Sequence, residues 1–334
     1  MTVPEAVRDA YGASSATALP GGLINATYLA DDSIVLQRLH PIFSAEVNID
    51  IAAITAHIAA RGVSTPRLVE TREGALWFEH DGDVWRALTF IPGVTIDAVD
   101  DPRIAESAGH LIGRFHAALS DLDHTFAFTR LGVHDTSAHL DKLRRLVGDD
   151  GGDHPELATL GEAILETAAA LPAHPALPER ISHGDLKISN IRFAPETDPL
   201  EALCLLDLDT LGHMTLAYEL GDAMRSWCGS PEDDELPRFR SDIFAAALAG
   251  YRRGNPDLDP IELRSVPLGT LTVAVELAAR FCADGFEDSY FGWDADRFPS
   301  RRAHNVARAR NQLALGGQIR TVLGALDDAV SALH

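Results

Sequence analysis

The sequence predicts an α+β protein of two lobes. A small N-terminal lobe built on an antiparallel sheet takes residues 1–91, and a large, mainly helical C-terminal lobe takes residues 92–334. Three observations carry this. Short runs of alternating apolar and polar residues, separated by turn residues, dominate the first ninety positions. "IPGV", residues 91–94, then joins Pro to Gly, a combination that marks a hinge or linker. Beyond it apolar residues recur at helical spacing, and at 46% apolar the 334-residue chain can bury two substantial cores.

In chain order, "LINATYLADDSIVLQRL" reads as two strands joined at Asp31, Asp32 and Ser33. Along the second strand Ile34, Leu36 and Arg38 share one face, and Val35, Gln37 and Leu39 the other. Residues 45–60 form a helix with Ile51, Ile54 and Ile58 on one stripe. "GALWFEHDGDVWRALTFI" is a pair of strands around an Asp81-Gly82 turn. "PRIAESAGHLIGRFHAALSDL" places Ile104, Ala108, Leu111, Ile112, Phe115 and Leu119 on one helical face. "GGDHP", residues 151–155, is a loop, and "NIRF" and "ALCLLDL" are short strands joined by "APETDP". The remainder reads as helical through residues 302–333.

A formal net charge of −22 argues against duplex DNA or an anionic membrane as partner, since phosphate contacts need clustered Lys and Arg. Cys204, Cys228 and Cys282 are widely spaced and form neither a zinc pattern nor a Cys-x-x-Cys pair. With no signal-like N-terminal segment and no apolar run expected to span a bilayer, the expectation is a cytoplasmic protein.

The chemistry concentrates in "ISHGDLKISNIRF", residues 181–193. Phosphoryl transfer to a hydroxyl needs a carboxylate for the hydroxyl proton, oxygen ligands for magnesium and a cation for the moving charge. Asp185 suits the first role, Asn190 the second and Lys187 the third. "LLDLDT" adds Asp207 as a metal carboxylate, with Asp209 a second one. His183 is read as bracing the loop backbone.

His-Gly-Asp-Leu-Lys-x-x-Asn followed by a strand-end Asp-x-Asp resembles the catalytic and metal-binding loops of the aminoglycoside phosphotransferase and choline kinase superfamily. That resemblance implies a bilobal protein-kinase-like fold using ATP and Mg2+. By the same resemblance Asp222 in "ELGDAMR" would hydrogen-bond the catalytic loop, and His116 in "LIGRFHAAL" would brace a helix. Backbone groups of Thr89 to Ile91 in "LTFIPGVTI" would meet adenine. Gly21 and Gly22 in "PGGLINATY" would cover the phosphates. Superfamily members place a Lys on the second strand; here the match is Arg38, with Glu46 or Asp50 as its acidic partner.

A narrower resemblance, to N-acetylhexosamine 1-kinases, runs from about Gly21 to Leu315. It rests on "GGLINATY", "VLQRLHPIF", "DLDTLG…ELGDAMRS", "RFCADGFEDSYF" and "HNVARARNQLAL". Glu287-Asp288 departs from the Gly-Asp expected there, and "GWDADRFPSRRA" also differs. The resemblance implies a sugar acceptor, phosphorylated at its anomeric hydroxyl. Asp185, Asp284, Tyr290, His304, Asn305, Arg308 and Arg310 are the candidate acceptor contacts. Two alternatives stand beside it: a kinase of another amino-containing acceptor, such as an aminoglycoside or a choline-like compound, and an inactive nucleotide-binding module. A protein-kinase role is disfavoured, because Leu208 replaces the aromatic residue of Asp-Phe-Gly and no activation segment is evident.

Overall fold

A computed structural model describes residues 2–19, 24–129 and 132–333. The N-terminal sheet is antiparallel and mixed with two helices. In chain order its elements are α1 (Glu5–Tyr11), β1 (Thr17–Ala18), β2 (Ala26–Ala30), β3 (Ile34–Arg38), α2 (Val47–Ala60), β4 (Leu68–Val69), β5 (Phe78–His80) and β6 (Asp83–Thr89). The strand order is β1-β2-β3-β6-β4, with β5 also paired to β6. The β2–β3 hairpin closes where expected, with Asp31 and Asp32 at positive φ, a conformation Asp tolerates through its short polar side chain.

The sheet's two faces do different work. Leu36, Trp85 and Ala87 pack outward under α1, against Val7 and Tyr11, whose hydroxyl donates to the Trp85 carbonyl at 3.0 Å. The opposite face, with Val35, Gln37, Arg86 and Leu88, fronts a cleft. The predicted stripe of α2, Ile51, Ile54 and Ile58, is buried in the main core together with the helices that follow. Helix α1 and strand β4 were not anticipated: α1 is short, and β4 has two residues, too few to set up a period.

The rest of the chain runs α3 (Pro102–Leu119), α4 (Thr136–Asp150), α5 (Pro155–Ala169), β7 (Glu179–Ser182), β8 (Ile191–Ala194), β9 (Glu201–Leu205), β10 (Gly212–Thr215), α6 (Leu216–Cys228), α7 (Ser241–Gly254), α8 (Pro260–Arg264), α9 (Val266–Glu287) and α10 (Arg301–Ser331). Asp101 caps α3 by accepting from the Arg103 N–H, with Pro102 as the first helical residue. The six apolar residues expected on one face of α3 are all buried. Two antiparallel pairs, β7–β10 and β8–β9, interrupt the helices. The sequence announced β8 and β9 but not β10, whose four residues lie where continuous helix was expected.

Helix α9 is the central strut. By length and composition it could cross a bilayer, contrary to the expectation that no such run exists, yet 89% of its most apolar stretch is buried inside the fold. Its apolar residues meet α4, α5, α6 and α10, which makes it a core helix. Cys204, Cys228 and Cys282 are free and buried.

Candidate active site

The loop after β7 is held from several sides. Glu219 on α6 is buried, and its two carboxylate oxygens accept the His183 and Gly184 N–H groups at 2.7 and 3.0 Å. Burial opposes its charge, but the bond and charge of His116 and the proximity of His183 hold its carboxyl below the usual range. Trp227, also on α6, donates to the Leu186 carbonyl at 2.8 Å. His183 bonds the Leu206 carbonyl through Nε2 at 2.7 Å and accepts the Asp185 N–H at Nδ1, so it ties the loop to the segment after β9. That pattern uses one donor and one acceptor, which assigns the neutral Nε2–H tautomer.

Gly184 sits at φ +80°, and a Cβ there would lie 2.4 Å from the Thr210 carbonyl. A left-handed L-residue costs about 1–2 kcal/mol before any clash. Gly184→Ala is therefore expected to displace the loop from Thr210 and cut turnover at least about tenfold, while far-UV circular dichroism stays native. Wild-type kcat in a folded variant would rule out the need for this close approach.

Within this frame Asp185, Lys187 and Asn190 converge. Asp185 Oδ2 accepts from Lys187 Nζ at 2.7 Å and from Asn190 Nδ2 at 3.0 Å. Asp185 Oδ1 accepts no hydrogen bond among the described residues, and Asp185 lines a cleft of about 850 Å³. Burial works against the Lys187 charge, but the adjacent Asp185 outweighs it and raises its pKa. The Leu206 N–H donates to the Asn190 carbonyl at 2.8 Å, which brings Asp207 beside the loop. Asp207 takes a left-handed backbone, φ 60°, that turns the chain at the end of β9.

Asp207 lacks a hydrogen bond or ion pair among the described residues. Burial, then the negative charges of Asp209 and Asp185, push its carboxyl pKa up, with Lys187 only partly opposing. A half-buried carboxylate pressed against others is the environment a cation relieves. Among the described residues there is no cage of three or more His, Cys, Asp or Glu. One carboxylate, Asp207, and one amide, Asn190, suit magnesium, which keeps water and substrate phosphates as its other ligands.

Asp209, expected as a second metal carboxylate, is committed elsewhere. It is fully buried and pairs with Arg86 through both oxygens, the second contact at 2.8 Å, and Asn25 donates to it at 2.6 Å. Arg86 was missed by sequence reasoning. Its alternation with Val84 and Leu88 in "DVWRALTF" marked it as sharing their face, and a charged residue on an apolar strand face was the available signal. Nε and Nη2 donate to Gln37, Nη1 to Asn48 and both Nη atoms to Asp209, so all five N–H groups are engaged.

Arg38 corrects the expectation of a phosphate-binding cation on β3. It lies on the outward face with Leu36 and pairs with Asp83 at 3.1 Å, and Gln37 occupies the cleft side. Neither proposed acidic partner reaches it. Asp50 accepts the N–H groups of Ala127 and Phe128 and bonds His124, while Glu46 is exposed beside Ser44. Asp222 is a further correction, because the loop-holding carboxylate is Glu219. His116 does brace, contacting Tyr251 at 3.0 Å and Glu219 at 3.5 Å.

Thr89 and Ile91 line a second, apolar pocket of about 130 Å³ beneath the sheet, with Leu19, Val35, Ile51, Leu88 and Leu208. Gly21 and Gly22 lie outside the described residues. Of the acceptor candidates, Asp284, Tyr290 and Arg308 line the large cleft. Asp284 accepts the N–H groups of Ser289, Tyr290 and Phe291 and a bond from Asn305, so it shapes the cleft wall. Burial opposes its charge, and those N–H groups hold its carboxyl below the usual range. Asn305 and His304 are buried behind that wall, His304 bonded to Asp233. Arg310 is on the surface with Glu156, outside the site.

A model of the phosphotransferase enzyme family, APH, matches residues 15–256, well over half of the chain. The chain belongs to that family. Relatives of this phosphotransferase include a homoserine kinase from Rhodopseudomonas palustris (strain BisA53), 29% identical over 240 residues, covering 71% of this chain and 67% of the relative. Another, from Azorhizobium caulinodans, is 28% identical over 213 residues, covering 63% of this chain and 61% of the relative. These relatives carry the family but not the narrower resemblance to hexosamine kinases. Similar folds include amicoumacin kinase hAmiN in complex with AMP-PNP, Ca2+ and Ami. Its TM-score is 0.62 at 17% identity, over 90% of this chain and 87% of that one. A microcompartment-associated aminopropanol kinase gives a TM-score of 0.62 at 16% identity, over 93% of each chain. They share the kinase-like fold expected of this phosphotransferase.

Proposed function

We propose that the protein transfers the terminal phosphoryl group of ATP to a hydroxyl of a small acceptor held in the large cleft. One observation carries this. Asp207 is the residue common to the linings of the apolar pocket and the large cleft, and Asp185 stands beside it on the cleft side. A nucleotide with its base in the pocket would direct its phosphates past Asp207 toward Asp185. Asp207 and Asn190 would hold the magnesium, which supplies charge neutralisation on the phosphates when bound.

Asp185 accepts the acceptor's hydroxyl proton at Oδ1. The acceptor oxygen then forms its bond to the γ-phosphorus as the bond to the β,γ-bridging oxygen breaks, and ADP departs with the bridging oxygen. Lys187 balances charge beside Asp185. Arg86, with every donor engaged, orients Asp209 instead of touching phosphate.

The acceptor we favour is an N-acetylhexosamine such as N-acetylglucosamine or N-acetylgalactosamine, phosphorylated on its anomeric hydroxyl. The volume of the cleft suits a sugar ring, and residues 284–291, from the stretch that resembles those kinases, form part of its wall. A second reading, a hydroxyl compound with a free amine such as homoserine, is favoured by the names of the two relatives and by the acidic groups in the lining. ADP release assayed over N-acetylhexosamines, plain hexoses, homoserine, aminopropanol and aminoglycosides separates them. The sugar reading expects kcat/KM at least about 100-fold higher for an N-acetylhexosamine than for homoserine, and the reverse order refutes it. Thermal protection by Mg-ATP with no turnover on any acceptor would leave a binding module.

A further inference from the structure

The large cleft contains many charges, and nearly all of them neutralise one another. Glu276 on α9 is buried, and both its oxygens are occupied, by His134 at 3.1 Å and by Thr136 at 2.5 Å. Both oxygens of Asp284 hold the 289–291 turn. Among the cations, Lys142 pairs with Glu287, Arg308 donates to the Gly292 carbonyl, and Arg225 spans Asp222 and Glu232.

Apart from Asp185 and Asp207 of the candidate active site, two groups are left with unused hydrogen-bonding capacity. Arg280 lines the cleft, yet it donates no hydrogen bond among the described residues. Its nearest carboxylate, Glu276, is 3.9 Å away, and its guanidinium lies 5.9 Å from the centre of the Phe291 ring. Asp222 also lines the cleft. Arg225 takes its Oδ1, while Oδ2 accepts nothing among the described residues. Both side chains are largely shielded, at 24% and 22% exposure, so leaving the Arg280 donors and the Asp222 Oδ2 without hydrogen bonds is costly. They are neighbours electrostatically. Burial opposes the Asp222 charge, and Arg225, His134 and Arg280 together hold its carboxyl below the usual range. Asp222, Arg280 and the catalytic-loop residue Asp185 line the same cleft, and Asp222 contributes to the raised pKa of Lys187.

We infer that Arg280 and Asp222 form a two-point clamp that selects acceptors carrying an N–H group next to a carbonyl or carboxylate oxygen. Arg280 donates to the oxygen, and Asp222 Oδ2 accepts from the N–H. An acetamido group on a sugar and the amino-carboxylate end of a hydroxy amino acid both present this pair. A plain hexose has neither half, and glucosamine or 3-aminopropanol has only the nitrogen. Arg225, Arg308 and Lys142 are each already tied to a protein oxygen, whereas Arg280 donates no hydrogen bond among the described residues. The inference rests on the proposed kinase reading and refines it by naming what the acceptor must display.

The test compares matched acceptors on wild-type protein, Arg280→Gln, Arg280→Lys and Asp222→Asn. The pairs are N-acetylglucosamine with glucosamine and glucose, and homoserine with 3-aminopropanol. Wild type is expected to favour one clamp-bearing acceptor over its truncated partners by about 100-fold in kcat/KM. Arg280→Gln should raise KM for that acceptor about 10- to 100-fold and leave the truncated partners within about threefold. Arg280→Lys should recover part of the loss, since a single donor replaces a fork.

Calorimetry of the same pairs on the Asp185→Asn variant with Mg-ADP reads the clamp without turnover. A clamp-bearing acceptor that binds Asp185→Asn more tightly than its truncated partner, and loses that margin when Arg280→Gln is added, supports the clamp even if the kinase reading fails. Equal penalties on clamp-bearing and truncated acceptors, or no penalty at all, overturn it while leaving the kinase reading intact. Binding of none of these compounds to either protein overturns it as well.

Discussion

Asp185→Asn is expected to lower kcat by about 10²- to 10⁴-fold, the usual worth of a positioned general base, with Mg-ATP affinity essentially unchanged. The geometry explains the split. Asp185 lines the cleft, and its Oδ2 is engaged by Lys187 and Asn190 whereas Oδ1 accepts no hydrogen bond among the described residues. An amide can keep one acceptor oxygen toward Lys187, but it then presents an NH2 where the hydroxyl proton must go. Asp207 and the apolar pocket are untouched, so nucleotide binding should persist. Single-turnover ADP formation measures the first quantity and calorimetry with Mg-ATP the second. Wild-type phosphate transfer in this variant would remove the base assignment, and parallel loss of nucleotide binding would recast Asp185 as a metal ligand.

Arg86→Met should destabilise the fold by about 3–5 kcal/mol, the cost of stranding one partner of a buried ion pair. Arg86 and Asp209 are 1% and 0% exposed at their side chains, so neither solvent nor salt can replace the lost charge. Gln37, Asn48 and Asn25 remain, but they are neutral. Replacing both charges together, Arg86→Met with Asp209→Leu, is expected to cost less than the sum of the two single changes, because no unpaired charge stays buried. Urea denaturation of the four proteins gives the coupling directly. The metal loop should feel the change too. Asp209 is two residues from Asp207, so the KM for Mg-ATP should rise in Asp209→Asn even where the variant is mostly folded. A midpoint for Arg86→Met equivalent to less than about 1 kcal/mol of destabilisation would show that the pair is not what fixes this turn.

These two sites differ in how visible they were beforehand. Asp185, Lys187 and Asn190 lie within six consecutive positions, and a short loop cannot scatter them far, so their convergence was readable from spacing alone. Asp207 was readable because it follows the returning strand of the hairpin that comes after that loop. The Arg86–Asp209 pair joins residues 123 positions apart, and no local pattern links them. Arg38 shows a subtler failure. Its alternation with Leu36 was read correctly, and that same alternation places it on the outward face under α1, away from the phosphates.

Loop support divides in the same way. His183 lies inside the motif, and its bracing role followed from its position. Glu219 lies 36 positions beyond His183, and two residues separate it from Asp222. Which of the two reaches the His183 and Gly184 N–H groups depends on how α6 is rotated against the loop. The acceptor candidates were drawn from a resembling stretch and then sorted by packing. Asp284, Tyr290 and Arg308 came to the cleft, His304 and Asn305 went behind its wall, and Arg310 stayed on the surface.

By itself the sequence determined the order and kind of most elements, which side chains share a strand face or helix stripe, and the compact loop that carries Asp185, Lys187 and Asn190. It did so because hydrophobic period and short-range spacing are local properties of the chain. Tertiary structure alone decided which sheet face fronts the cleft, which distant carboxylate each arginine meets, and which charges in the cleft remain for a ligand. Those outcomes depend on where burial brings distant segments together, and a buried charge takes whichever partner the packing supplies.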